Sequence, residues 1–200
     1  MLVSGIKSRP VYPGLAIDRA AHRHLFALEG EGALALLEIV SPTEPVLAHA
    51  EILYTSAGSA AGGHGRTLAA LGAANYSEHV DGAALIDRLS VVLHTATMST
   101  RLYASGTEGF IGAVVCAGAD HGIKPASIVT EHRGSLKRRV QCVHCKGFTD
   151  DVTTSPVPCS QCGLSLLVRD HFSRRLNAFQ GVCINAEDQS VLPPPEELFA

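Results

Sequence analysis

Two Cys-x-x-Cys pairs constrain this chain more than any other feature of its sequence. Cys142 and Cys145 form the first pair, and Cys159 and Cys162 form the second pair after 13 intervening residues. Each pair can place two thiolates on one ion, and two facing pairs complete a tetrahedral site with four sulfur ligands. The N-terminus shows no secretory leader, so metal ligation is favoured over disulfide formation. The sequence therefore predicts a metal site at these four cysteines.

The cysteine spacing leaves the metal open between zinc and iron, because both accept four thiolates in tetrahedral geometry. Zinc would make a redox-silent structural ribbon, whereas a single iron would make a rubredoxin-like one-electron centre. We expect zinc, since structural ribbons are commoner and Lys146 stands where rubredoxins usually have glycine. Gly147 and Gly163 follow the two pairs and suit tight turns. The remaining cysteines, Cys116 and Cys183, are interpreted as structural.

The first two thirds of the chain alternate predicted strands with predicted helices. Strands are predicted over 22–28, 51–55, 75–79, 101–104 and 126–130, and helices over 33–40, 83–95 and 108–121. Asp81 is a candidate N-cap residue, and Gly122 marks the end of the last helix. Strands that alternate with helices predict βαβ units and a mostly parallel sheet.

Three stretches of this region carry a family resemblance. They are His24–Gly32, a strand with a glycine turn, Arg101–Ile111, a strand that leads into a helix, and Ser127–His132, a closing strand. Residues 22–132 thereby resemble the nicotinamide-binding domain of the ferredoxin reductase superfamily. The resemblance implies a Rossmann-like α/β domain. It also implies the candidate cofactor-binding residues Gly30, Gly32, Gly106 and Thr107.

The same stretches depart from the family pattern where a nucleotide would bind. Ser105, Gly106 and Thr107 replace the family's Cys-Gly-Pro, and Glu29 and Glu31 would repel a pyrophosphate. We therefore predict an α/β fold whose first part is a degenerate ferredoxin-reductase-type nicotinamide-binding domain. This domain either retains its nucleotide or serves as a docking surface. A small zinc-ribbon or rubredoxin-like module with four cysteine ligands is predicted to follow it.

Four regions follow from these features. They are an N-terminal arm at 1–21, the reductase-type domain at 22–135, the four-cysteine metal module with a docking segment at 136–185, and a proline-rich tail at 186–200. We expect the tail to be extended and mobile.

The segment after the second cysteine pair combines basic and aromatic side chains. It is interpreted either as an amphipathic segment packed on the rest of the chain or as a partner-docking surface. A docking surface would use Arg169, His171, Phe172, Arg174 and Arg175. The basic run Lys137, Arg138 and Arg139 is interpreted either as a surface charge run or as a patch that steers an acidic redox partner.

Composition excludes some classes of partner. The formal net charge is −3 and aromatic residues make up 5% of the chain, which argues against a nucleic-acid-binding surface. The most apolar stretch, 110–119, is about half as long as a membrane-spanning helix must be. With no targeting signal visible, we expect a cytoplasmic protein with neither a membrane nor a nucleic-acid partner.

Residues 159–176 are the most specific part of a second resemblance, which runs over nearly the entire chain. They read Cys-Ser-Gln-Cys-Gly-Leu-Ser-Leu-Leu-Val-Arg-Asp-His-Phe-Ser-Arg-Arg-Leu. The chain resembles the A-type subunits of bacterial dimethylamine monooxygenase. That resemblance implies a hetero-oligomer that uses NAD(P)H and oxygen to demethylate dimethylamine to methylamine and formaldehyde. It implies a reductase subunit with flavin and [2Fe–2S] and an oxygenase subunit that bears haem.

The residues agree with an accessory role in such a complex. The sequence contains no recognisable Ser/His/Asp arrangement, paired acids, haem-attachment motif or iron facial triad, so no catalytic residue is predicted. Three functions remain open: an assembly subunit braced by zinc, an electron-transfer subunit with rubredoxin-type iron, and an NAD(P)H-binding domain supplied in trans to the reductase. A zinc-ribbon nucleic-acid binder is disfavoured by the acidic charge.

Overall fold

The computed structural model of the chain describes residues 8–57, 63–188, 190 and 192–200. Its contacts divide the chain into two compact units. The first, the α/β unit, spans Tyr12–Gly134, and the second, the cysteine unit, comprises the described residues of 1–11 and 135–200. The predicted N-terminal arm is thus shared, because residues 8–11 belong to the cysteine unit and residues 12–21 to the α/β unit.

The α/β unit is built on a sheet of five parallel strands in the order β3-β2-β1-β4-β5. The strands are β1 (Arg23–Glu29), β2 (Ala50–Thr55), β3 (Asn75–His79), β4 (Thr100–Gly106) and β5 (Ile128–His132). This order is that of a Rossmann-like sheet, which confirms the predicted fold class.

Within the described residues, four α-helices connect the strands. They are α1 (Gly32–Leu37), α2 (Gly65–Ala69), α3 (Gly82–Leu93) and α4 (Glu108–Asp120), with short 3-10 turns at Pro45–His49 and Pro125–Ser127. The predicted cap of α3 is present, because the Asp81 carboxylate accepts a hydrogen bond of 2.8 Å from the Ala84 N–H. Gly122 has a φ of +78° just after α4, as expected of a helix-terminating glycine. Every helix in the described ranges is too short or too polar to span a lipid bilayer.

Apolar side chains cover both faces of the central strands. Phe26, Leu28 and the side chains of α1 lie in a core on one face, whereas Leu25, Ala27 and the side chains of α3 and α4 lie in a core on the other. Strand β1 is therefore buried on both sides, as the centre of a parallel sheet must be. Helix α1, which follows β1, and helix α4, which follows β4, therefore lie on opposite faces of the sheet.

The cysteine unit is a β-structure with its own core. A five-stranded sheet has the order β7-β6-β11-β10-β9, and a two-stranded sheet pairs β12 with β8. The strands are β6 (Arg138–Cys142), β7 (Phe148–Val152), β8 (Thr154–Ser155), β9 (Val157–Pro158), β10 (Ser165–Ser173), β11 (Ala178–Cys183) and β12 (Glu196–Glu197). Strands β10 and β11 form an antiparallel hairpin, and β11 runs parallel to β6.

The C-terminal tail differs from the mobile segment that we expected. Its strand β12 pairs with β8, and the backbone N–H groups of Leu198 and Phe199 both donate to the carbonyl of Thr153 at 2.9 Å. The Phe199 ring is buried in the core of the cysteine unit. The expectation of mobility was wrong because proline content describes the local backbone and cannot reveal a distant aromatic anchor.

Candidate functional site

The four paired cysteines meet in one cluster. All four sulfur atoms lie within 4.8 Å of one another. The Sγ atoms of Cys142 and Cys162 are 3.8 Å apart, and those of Cys145 and Cys159 are 3.6 Å apart. A tetrahedral ion with metal–sulfur bonds of about 2.3 Å separates its sulfur ligands by about 3.8 Å. The cluster therefore has the dimensions of a four-thiolate metal site.

The two cysteine loops have equivalent backbone hydrogen bonds. In each loop, the N–H of the first cysteine donates to the carbonyl five residues later, and its carbonyl accepts from the N–H four residues later. The bonds are Cys142 to Gly147 and Lys146 to Cys142 in the first loop, and Cys159 to Leu164 and Gly163 to Cys159 in the second, all at 2.9–3.0 Å. Each loop is thus closed by two backbone hydrogen bonds of its own.

The residue after each pair adopts a left-handed backbone conformation. Gly163 has a φ of +74°, and Lys146 has a φ of +64° at the equivalent position. The Lys146 ammonium donates a 2.6 Å hydrogen bond to the carbonyl of Val143 within the same turn. The sequence assigned the turn of the first loop to Gly147, but this glycine instead packs so closely on Gln161 that a Cβ there would overlap that side chain.

Backbone N–H groups stabilise negative charge on the sulfurs. The Gly147 N–H lies 3.4 Å from the sulfur of Cys145. Burial by itself raises the pKa of the Cys159 thiol, but the N–H groups of Cys162 and Gln161 and the neighbouring thiols lower this pKa to about 6. Because the thiolate is the form that binds metal, these donors favour ligation.

Exposure differs among the four ligands. Cys142 and Cys159 are buried, whereas Cys162 is exposed at the surface of the unit. In the part of the chain that the structure describes, no other group of three or more metal-ligating side chains gathers in this way. Cys183 stays outside the cluster, and its thiol donates to the Asn185 side chain at 3.5 Å.

The predicted nucleotide residues also come together, at the carboxyl ends of β1 and β4. Gly30 has a φ of +50°, and Gly106 has a φ of +153°. Gly32 packs against backbone, because a Cβ on it would overlap the carbonyl of Ser105 and lie 2.7 Å from the N atom of Gly106. Thr107 caps α4 and accepts a 3.4 Å hydrogen bond from the Phe110 N–H. These glycines permit close strand–helix packing.

Two carboxylates lie among these residues. Glu29 accepts hydrogen bonds from Thr107, and Glu31 lies 3.1 Å from the imidazole of His64. A pyrophosphate needs free N–H donors and positive potential at this position. The residues present therefore do not fit a nucleotide phosphate. Sequence reasoning noted the charge of Glu29 but missed its internal partner.

The five predicted docking residues lie on the β10–β11 hairpin. Arg174 and Arg175 are exposed in the connecting turn, and His171 is exposed on β10. The Arg169 guanidinium donates to the Gln180 side chain at 3.3 Å. The ring of Phe172 packs on Phe179, with ring centres 5.0 Å apart. Phe172 therefore has a structural partner, while the turn leaves two cations at the surface.

Arg138 is a buried structural residue that sequence reasoning missed. Its guanidinium lies 4.0 Å from the ring centres of both Phe179 and Phe199. It also forms an ion pair of 2.7 Å with Asp170. Its side chain is 4% exposed, so it cannot belong to a surface patch with Lys137. The interpretation of this arginine as a steering charge was wrong, because a stacked and paired guanidinium is withdrawn from solvent.

Comparison with known proteins assigns both units to one family. The family model described as dimethylamine monooxygenase subunit DmmA-like, N-terminal domain, matches residues 4–128, and the corresponding C-terminal domain matches residues 139–182. A curated relative, the heme-dependent oxidative N-demethylase delta subunit of Ectopseudomonas mendocina (strain ymp), is 35% identical over 107 residues. The match covers 52% of this chain and 61% of that relative.

Two solved structures are similar to the chain at low sequence identity. An intact type IV self-sufficient cytochrome P450 monooxygenase matches with a TM-score of 0.46 and 19% identity, over 64% of this chain and 18% of that one. Phthalate dioxygenase reductase matches with a TM-score of 0.45 and 12% identity, over 71% of this chain and 46% of that one.

Proposed function

We propose a function for this chain from one premise: it belongs to the dimethylamine monooxygenase subunit DmmA-like family. In this proposal the chain is an accessory subunit of a multi-component N-demethylase that uses NAD(P)H and oxygen. Dimethylamine is the proposed substrate of the complex, and methylamine and formaldehyde are its products. The relative that is 35% identical is itself named as a subunit of a heme-dependent oxidative N-demethylase. Haem, flavin, [2Fe–2S] and NAD(P)H are proposed to reside in the other subunits.

The single observation that supports an accessory role is the closed four-sulfur cluster. Two loops with equivalent backbone hydrogen bonds bring four thiols to tetrahedral spacing, and this arrangement leaves no ligand position for a substrate. Zinc bound there would cross-link the two loops and would carry out no redox chemistry. We therefore propose that Cys142, Cys145, Cys159 and Cys162 hold zinc and fix the surface of the cysteine unit.

The fixed surface is proposed to dock the reductase and the oxygen-activating subunit. Arg174 and Arg175 stand exposed in a turn whose two strands belong to the same sheet as β6, the strand that ends at Cys142. Metal ligation would hold this sheet rigid, and rigid positively charged turns suit acidic partners. His171 adds a third polar group on the same hairpin.

A second candidate function is electron transfer through a single iron. The exposure of Cys162 favours it, because an exposed thiolate ligand gives a partner's redox centre a short path to the metal. Iron in this site would supply one-electron chemistry, and the four sulfurs fit it as well as they fit zinc. The two candidates differ in metal and colour, so one preparation decides between them.

The test begins with elemental analysis and the visible spectrum of the purified chain. One zinc per chain without colour is the expected result, and one iron with a reducible thiolate absorption would favour electron transfer instead. The chain is then combined with the other subunits, and formaldehyde release from dimethylamine is measured with NADPH and oxygen.

Variants link the metal to the activity of the complex. Cys159→Ser is expected to lose the metal, bind the partner subunits more weakly and reduce formaldehyde release. Cys183→Ser is the matched control, because this cysteine lies outside the cluster. Full metal content in Cys159→Ser would contradict the ligand assignment. Normal activity of a complex that lacks the chain altogether would contradict the accessory role.

A further inference from the structure

The α/β unit has a crevice where sheets of its topology bind ligands. Strands β1 and β4 are neighbours, and their helices α1 and α4 pack on opposite faces of the sheet. The chain therefore changes winding direction between these two strands. In open α/β sheets, this switch point opens at the carboxyl ends of the strands and is the usual place for a nucleotide.

A carboxylate of the chain itself, that of Glu29, lies at the N-terminus of α4. One carboxylate oxygen of Glu29, the last residue of β1, accepts a 3.0 Å hydrogen bond from the Thr107 N–H and a 2.6 Å hydrogen bond from the Thr107 hydroxyl. Helix α4 has 13 residues, so its dipole favours negative charge at this end. Glu29 thus makes the contacts that a phosphate oxygen would otherwise make.

The Glu29 side chain packs on one side and borders an open cavity on the other. That cavity has a volume of about 340 Å³ and is lined by Glu29, Gly82, Phe110 and further side chains of α3 and α4. A Cβ on Gly106 would lie 2.8 Å from the Cβ of Glu29 and 3.1 Å from the Phe110 ring. A Cβ on Gly82 would lie 3.7 Å from the second oxygen of Glu29 and 3.6 Å from the same ring. The side chain of Glu29 therefore packs against Gly106 at the start of α4 and lies beside the cavity between α3 and α4.

The side of the crevice next to α1 is closed. Gly32 at the start of α1 touches the backbone of Ser105 and Gly106, so nothing fits between this helix and β4. Glu31 lies beside it and pairs with His64 at 3.1 Å. Glu29 and Glu31 thus both place negative charge at the switch point, and this charge repels a nucleotide's phosphates.

We infer that Glu29 is a built-in occupant of this crevice and that the chain therefore binds no pyridine nucleotide there. NAD(P)H must then bind, and deliver its hydride, in another subunit of any complex that the chain serves. The Rossmann-like sheet of this chain is left with a scaffolding role. This inference concerns the isolated chain, so it stands or falls independently of the proposed accessory function.

The test is isothermal titration of the full-length chain with NADPH and, separately, with inorganic pyrophosphate. The wild-type chain is expected to show no saturable binding of NADPH at millimolar concentrations and to bind pyrophosphate only weakly, with an affinity that can be compared between variants. Glu29→Ala frees the Thr107 donors, removes one negative charge and opens space, so pyrophosphate binding is expected to strengthen about tenfold or more. Glu187→Ala is the control, because it removes the same charge from an exposed position of the cysteine unit.

Two results would overturn the inference. The first is saturable binding of NADPH to the wild-type chain with one site per chain. The second is a gain in pyrophosphate binding by Glu29→Ala no larger than that of the control. Should Glu29→Ala fail to fold, Glu29→Gln replaces it, because its amide keeps an acceptor for Thr107. Loss of the charge alone is expected to strengthen pyrophosphate binding about threefold, and an unchanged affinity would refute the role of Glu29.

Discussion

Replacing Phe199 by alanine is expected to destabilise the cysteine unit by about 3 kcal/mol. Its ring is 8% exposed and belongs to the core of that unit. The Arg138 guanidinium stacks on it, 4.0 Å from the ring centre. Truncation of a buried phenylalanine costs about 3–5 kcal/mol. The lower end applies because Arg138 keeps its other partners, Phe179 and Asp170.

The effect can be measured through the metal. The free chain is loaded with zinc and mixed with an excess of a coloured chelator, which captures zinc when the cysteine unit opens. A loss of about 3 kcal/mol raises the opened fraction about 100-fold. When opening and closing are fast, the release rate follows that fraction. Zinc release from Phe199→Ala is therefore expected to be about 100 times faster than from the wild type.

Leu198→Ala supplies the matched control. Leu198 is the preceding residue and its N–H donates to the same Thr153 carbonyl, but its side chain is 53% exposed. Surface truncations change stability by about 0.5 kcal/mol or less, so zinc release should stay within about threefold of the wild type. Equal release rates for Phe199→Ala and Leu198→Ala would refute the argument that the tail completes the core.

Two further predictions concern the α/β unit. Gly32→Ala is expected to cost about 1–3 kcal/mol in urea unfolding, because its Cβ overlaps the Ser105 carbonyl. Gly109→Ala, which meets nothing within 4 Å, should not destabilise; equal losses in both would refute the close-packing argument. Burial lowers the pKa of His24 in the folded chain, so the unfolded chain takes up a proton first as the pH falls below about 6.5. Stability should then fall by at most about 1.4 kcal/mol per pH unit. His24→Phe should flatten this slope in pH-dependent urea unfolding. An unchanged slope would contradict the assignment of the pH dependence to His24.

The strands and helices of the α/β unit could be predicted from signals that lie close together in the sequence. Asp81 was predicted as a cap and does cap α3, because N-cap chemistry depends only on residues within one turn. Strand and helix alternation similarly predicted a parallel sheet, since short connections between such elements leave few topologies. The cysteine cluster was predictable for a related reason: each pair is a local turn with its own hydrogen bonds.

The cysteine unit was less predictable because its pairings join distant segments. The segment after Cys162 reads as amphipathic and basic, yet it forms β10 and β11, and β11 pairs with a strand that begins at Arg138. Nothing near Arg138 in the sequence indicates that Phe179 and Phe199 will enclose it. Burial of a cation depends on aromatic partners 41 and 61 residues away, which no local pattern encodes.

The two departures from the reductase motif belong together physically. Taken singly, Glu29 is a charge that repels phosphate, and Thr107 is a substitution for the proline of the resembled motif. In the structure, the Thr107 N–H and hydroxyl both donate to the Glu29 carboxylate. A proline at this position has neither donor, so it could not hold the carboxylate. The threonine thus stabilises the Glu29 carboxylate, and the glutamate in turn places its negative charge at the N-terminus of α4. When each position is considered separately, Glu29 and Thr107 both count as losses of nucleotide binding. In the structure, the two residues form one hydrogen-bonded pair within the chain.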